Sequence, residues 1–221
     1  MNFSAFSARY RDTAVRAIFW LYWAGILMLI LHAAKDRFHL PLPPFSDPDT
    51  WGYLFPGIKY LSGGEYIHSE GRSFPYPLFI CGILKIFRDF RYISIVQHSL
   101  GLLSGFLLAL AWERGLKFFQ TRPVSHLVHR LLGCMMVSCF FGARTSVLME
   151  HSIRPEAIFP FFTILAAWLG TEYTVAVWKN KNLRLAFFLG VFLVLDSLFI
   201  YFLKPAWGFG VGFGMLPVLV S

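Results

Sequence analysis

Residues 17–34 read AIFWLYWAGILMLILHAA, an apolar run preceded by a short basic segment with Arg9, Arg11 and Arg16 against Asp12. About 20 such residues, wound as a helix, cross the roughly 30 Å hydrocarbon core of a bilayer. A cleaved signal peptide usually has an apolar core of only about 7–15 residues and ends in small residues at its cleavage site. Here the run is longer, and His32 stands where a small residue is wanted. The stretch therefore reads as an uncleaved first transmembrane helix. Backbone polar groups in lipid must be satisfied within the spanning structure, by helices or by closed barrels. The run shows no barrel-like alternation, so it is helical.

Working outward from this run, the same pattern recurs. Spans are expected at about 17–34, 92–112, 131–149, 156–170, 185–203 and 207–220. The third has Arg144 inside its far end, and the fifth is interrupted by Asp196. The sixth ends the chain without a basic flank, which reads as the N-terminal portion of a longer, C-terminally incomplete protein. Between the first two spans lies a long loop, 35–91, rich in turn residues such as Pro41, Pro43, Pro44, Gly63 and Gly64. Within it, Trp51, Leu54, Phe55, Ile58 and Leu61 recur at helical spacing, which predicts an interfacial helix over about 50–61. Pro56 is expected to kink or shorten it. A second apolar segment, 76–87, is too short to span and is expected to lie at the interface or re-enter.

Composition agrees. Of 221 residues, 57% are hydrophobic and 14% charged, and mean hydropathy is +0.58; a soluble domain carries about 25% charged residues. The expected fold is all-α, a polytopic helix bundle in one transmembrane domain. The net charge of +8 does not point to nucleic acid, because Lys and Arg sit mainly between apolar runs, where they set orientation and meet anionic headgroups. With 76–87 left on one side, the N-terminus and the loops around 113–130 and 171–184 share one face, holding ten Lys/Arg against three Asp/Glu. The other face holds ten against eight. The positive-inside rule then puts the N-terminus in the cytoplasm and the long loop outside, across a plasma (inner) membrane. Cys81, Cys134 and Cys139 lie in apolar stretches with neither ligand spacing nor a disulfide pattern, and no ligand cluster calls for a metal or other cofactor.

This topology gathers Asp47, Asp49, Glu65, Glu70, Arg72, Glu150, His151, Arg154, Glu156 and Lys204 on one face from three separate parts of the sequence. Carboxylates and cations above an apolar bundle suit transfer of a group carried on a lipid phosphate. The tail lies between helices, cations neutralise the phosphate, and a carboxylate takes the proton of an attacking hydroxyl. Phosphate is a good leaving group, so one base suffices where glycoside hydrolysis needs two carboxylates.

The stretch Ser46-Asp47-Pro48-Asp49-Thr50-Trp51-Gly52-Tyr53, the Gly63-Gly64 turn and Gly71-Arg72-Ser73-Phe74-Pro75-Tyr76-Pro77-Leu78 carry a resemblance. They resemble the first extracytoplasmic loop of C-type (GT-C) membrane glycosyltransferases, such as the dolichyl-phosphate-mannose protein mannosyltransferases and the bacterial aminoarabinose transferases. Leu148-Met149-Glu150 and Arg154-Pro155-Glu156 through Phe162 are similar to a second family segment. The resemblance implies a polyprenyl-phosphate-linked sugar donor, a lipid, glycan or protein acceptor, and a loop carboxylate that acts as base or positions the acceptor. Asp49, four residues before Tyr53, matches that carboxylate best and Asp47 second. Many relatives have an adjacent acidic pair, which Pro48 separates here. Arg72 and Lys204 are the candidate phosphate partners, and Glu150 and Glu156 the candidate sugar or acceptor contacts.

Each of these residues also has a plain reading. Asp49 suits an N-cap, Asp47 a turn, and Glu156 a first helical turn beside Pro155. His151 reads as an interfacial histidine, and Arg72 and Lys204 as headgroup contacts. Asp196, an acid within an apolar run, is a functional candidate by default and favours a rival reading, a transporter or lipid flippase. Gly101 and Gly105 have the spacing of a close helix contact.

Overall fold

The computed structural model describes residues 3–67, 72–118 and 123–204, with side chains in 13–67, 72–118 and 125–204. It is all-α. The helices are α1 (Phe3–Phe38), α2 (Thr50–Leu61), α3 (Pro75–Phe87), α4 (Arg91–Gly115), α5 (Pro123–Gly142), α6 (Arg144–Glu150), α7 (Phe159–Thr174) and α8 (Leu183–Leu203). Among the described residues there is no regular strand; one isolated bridge joins Phe45 to Ser152. Four stretches are long and apolar enough to cross a membrane: Thr13–Phe38, Arg91–Phe118, Phe159–Lys179 and Leu183–Leu203. The chain is an integral membrane protein. The expected sixth span, 207–220, lies outside the described residues, as does Glu70.

Helix ends follow the backbone more than the apolar runs. α1 continues past Ala34 to Phe38, because a run marks where a helix meets lipid, whereas prolines, here Pro41, Pro43 and Pro44, mark where it cannot go on. The stretch expected as one span over 131–149 is divided. α5 and α6 meet at an angle of 53°, broken at Ala143, which is extended with φ −73° and ψ 93°. Gly142 favours the break, and the bend leaves Arg144 exposed. Before α7 comes a 3₁₀ turn, Pro155–Ala157, so the regular helix starts at Phe159 rather than 156 and runs on through a π-helical turn to Lys179. Pro160 falls in its first turn, where an N–H has no intrahelical acceptor to lose.

Two short helices form a hairpin in the first long loop. α2 runs unbroken through Pro56, with Pro56 and Gly57 buried and Gly57 against α3. A Cβ on Gly57 would stand 3.2 Å from Cys81 Cβ, so the glycine sets how closely the two helices approach. Gly63, with φ +90°, turns the chain after α2. α3 has 13 residues, about 20 Å at 1.5 Å per residue, well short of a bilayer core. Its core contacts lie at one end of the bundle. Tyr53, Tyr76, Ile80, Ile83 and Leu84 cluster with Ile93 at the start of α4, Ile153, Ala157 and Ile158 before α7, and Leu203 at the end of α8.

Lipid tails are as apolar as leucine, so close packing and hydrogen bonds hold such helices together. Tyr22, Ile26, Ala109 and Val137 join α1, α4 and α5, while Ala166, Leu169, Leu193 and Ile200 join α7 to α8. Outward-facing side chains such as Phe187, Phe192 and Leu195 stay exposed, as lipid contact requires. The polar groups gather at two opposite ends. At one, Arg130 pairs with Glu113 at 2.6 Å and Arg114 with Glu172 at 2.6 Å. The other holds the α2–α3 hairpin and the ends of α1, α6 and α8.

Candidate functional site

At the hairpin end stand three acid–cation pairs, one of which, Asp47 with Arg154, ties the first long loop to the later sequence. The turn before α2 builds the first. Asp47 Oδ1 accepts the Asp49 N–H at 2.7 Å, an Asx turn, and Thr50 Oγ1 accepts the Asp47 N–H at 2.8 Å. That leaves Asp47 Oδ2 to accept from Arg154 Nε at 2.5 Å. Asp47 is therefore both the turn residue and an ion-pair partner. Burial works against its ionisation, but Arg154 and the backbone N–H groups of Asp49 and Thr50 outweigh it and hold the carboxyl below its usual range.

Asp49 occupies the N-cap position of α2 without capping it. Its carboxylate instead accepts from Arg72 Nη2 at 2.5 Å, and 43% of its side chain remains exposed. Arg72 lies across Gly52, where a Cβ would stand 3.0 Å from its Nε, and over the Tyr53 ring, 5.2 Å from the centroid. The third pair joins Lys204, just after α8, to Glu156 in the 3₁₀ turn, Nζ to Oε1 at 2.6 Å. The pairs share one field: Arg154 interacts with Asp47, Glu156 and Asp49, and Tyr53 with Arg72, Glu156 and Asp49. Five of the six residues singled out in the sequence thus meet here. Beneath them Tyr76, fully buried, accepts from Gln97 Nε2 at 2.7 Å and edges onto Tyr53.

The sixth, Glu150, does not face this cluster. It is buried at the end of α6, accepting from Arg37 Nε at 2.7 Å and Nη2 at 2.9 Å, with His98 Nδ1 at 3.0 Å. His98 Nε2 lies 3.1 Å from His151 Nδ1. All four side chains of this network are buried. Arg37, Gln97 and His98 were not singled out in the sequence, although a Gln-His pair inside an apolar run is the same kind of signal as Asp196. Glu65 is exposed. Asp196 is buried in α8, and its Oδ2 has no hydrogen-bond partner. No metal-holding group of three or more His, Cys, Asp or Glu side chains occurs among the described residues.

No known family model, curated protein or solved structure matches the chain. The site is therefore argued from its own chemistry, which is a set of ionised pairs, part-exposed, at the rim of an apolar bundle. Such a rim can exchange one anionic partner for another. A phosphate arriving beside Arg72 finds unused guanidinium N–H groups, and Asp49 is exposed enough to meet a hydroxyl.

Proposed function

We propose that the chain is a membrane glycosyltransferase of the GT-C kind, moving a sugar from a polyprenyl-phosphate donor to an acceptor hydroxyl outside the cytoplasm. The observation that carries this reading is the convergence of Asp47, Asp49, Arg72, Arg154, Glu156 and Lys204 at one end of the bundle. In one in-line displacement the acceptor oxygen attacks the anomeric carbon, the bond to the phosphate oxygen breaks with its electrons, and configuration inverts. Asp49 takes the hydroxyl proton. Arg72 and Lys204 neutralise the departing phosphate, Glu156 contacts sugar or acceptor, and Asp47 with Arg154 fixes the loop. Glu150 supports the site from below. The charge bias supports the orientation: the N-terminus and the loops around 113–130 and 171–184 hold ten Lys/Arg against three Asp/Glu, which favours the cytoplasmic side of a plasma (inner) membrane for them.

The test supplies radiolabelled polyprenyl-phosphate sugars to the purified protein and to its Asp49→Asn variant. Loss of a general base costs roughly 10²–10⁴ in rate, so transfer by the variant should fall by about that factor. Equal transfer by both proteins removes Asp49 from the mechanism. Asp196 favours a second reading, transport or lipid flipping, because an intramembrane acid marks such pathways. That reading gains if Asp196→Asn abolishes movement of a lipid-linked substrate across vesicles while Asp49→Asn leaves it intact.

A further inference from the structure

The loop that presents Asp47 and Asp49 is strapped down just before them. Phe45 N–H donates to the His151 carbonyl at 2.8 Å, the two rings lie 4.7 Å apart, and Phe45 bridges to Ser152. The backbone carbonyls of Pro43 and Pro41 face the His151 imidazole. The strap therefore rests on His151, and His151 rests on the buried network below it.

With Glu150 ionised and His98 neutral, the geometry of that network sets the tautomers of its two histidines. Glu150, gripped by Arg37 through two N–H groups, is a carboxylate and can only accept, so His98 Nδ1 carries the proton toward it. A neutral His98 then has a bare Nε2, which must accept from His151 Nδ1–H. This leaves one bare nitrogen in the relay, His151 Nε2, buried and without a hydrogen-bond partner among the described residues. The neutral network balances one cation with one anion. A further proton can enter only at His151 Nε2, and it would set two cations, Arg37 and the histidine pair, against the single carboxylate of Glu150. The charged and titratable groups facing the pair are Arg37 from α1 and Glu150 from α6, while the strap offers only carbonyls and the Phe45 ring. A surplus buried charge is expensive. Hydrating it requires the residues above His151, which are the strap, to lift.

We propose that His151, kept neutral through the relay Glu150–His98–His151, is a positioning residue that holds the first-loop carboxylates in place, and that protonating this relay releases the loop. The inference rests on the transferase reading only for the role of Asp49; release of the strap is measured without activity. Burial and His98 hold the His151 imidazole below its usual range, against the Pro43 and Pro41 carbonyls. Docking is thus complete above the ordinary histidine value of about 6.5 and is lost as pH falls below it.

Amide hydrogen exchange of a peptide covering residues 41–47, corrected for intrinsic exchange, reads the strap directly. In the wild-type protein, protection should fall by up to about tenfold between roughly pH 7.5 and 5.5, the most that one pH unit of proton linkage produces. In His151→Asn, whose amide still donates toward His98 but does not titrate, protection should stay flat across that range. Protection in α8 reports whether the variant folds. If it does not, His151→Gln, which likewise has an amide and no titratable ring, takes its place with the same flat profile expected. A flat wild-type profile, or a folded variant that loses protection in step with the wild type, overturns the proposal. A transferase assay that fails while the strap still titrates removes the function and leaves the positioning device.

Discussion

Asp47 shows how one residue serves a turn and a pair at once. Its Oδ1 closes the Asx turn and its Oδ2 meets Arg154, so Asp47→Asn keeps a turn former and weakens the pair. The side chains are 18% and 31% exposed, so screening limits the loss to about 1 kcal/mol. Because the folded carboxyl sits below its usual range, its contribution is complete above the ordinary carboxylate value of about 4 and is lost as pH falls through the lower folded value. Thermal unfolding in detergent should therefore show wild type above Asp47→Asn at neutral pH, with the two curves merging in strong acid. A gap that persists at low pH would mean that the carboxylate charge is not what stabilises the loop. The histidine step expected at His151 begins at the ordinary histidine value, above the ordinary carboxylate value at which the Asp47 step begins, so the onsets of the two titrations differ.

Among the helices, Gly101 and Gly105 in α4 have a different use from the backbone contact that their spacing suggested. A Cβ at Gly101 would stand 2.2 Å from Glu150 Oε1, and one at Gly105 would stand 2.1 Å from Phe141 Cζ. Both glycines make room for side chains of the bent α5–α6 pair. Gly101→Ala gains helix propensity worth about 1 kcal/mol but pushes Glu150 off Arg37 and His98. The net result should be a destabilisation of about 1–3 kcal/mol, typical of overpacking. The same change in a Glu150→Ala background should cost less, and an equal cost in both would separate Gly101 from the network. The pair also shows what was legible in the sequence. Apolar runs marked the spans and helical spacing marked α2, because these depend on local chemistry. The bend at Ala143 was not legible, although Gly142 and Arg144 flank it, because a single arginine near a span's end is commonplace. Nor were the partners. Nine charged residues and His151 could be assigned to one face, but which acid meets which cation depends on loop paths, and Arg37 became Glu150's partner only because α1 runs past its apolar stretch.

For the whole molecule, the decisive property is that the hairpin and the segment 150–158 share one end, so that a loop some hundred residues distant can contribute to one site. Asp47 with Arg154 and Phe45 with His151 require this. It holds only if α3 turns back while α5 crosses and the bend at Ala143 brings α6 out on the same face. Single cysteines placed at Ser62, Thr145, Lys117 and Lys181, in a protein whose Cys81, Cys134 and Cys139 are replaced by Ser, test it with a membrane-impermeant maleimide. In right-side-out vesicles positions 62 and 145 should react and positions 117 and 181 should not; in inverted vesicles the pattern should reverse. If all four reverse together, only the orientation falls, and the site survives facing the cytoplasm. If 62 and 145 react from opposite sides, the loop carboxylates and the segment after α6 occupy separate compartments, and no transferase can be built from them.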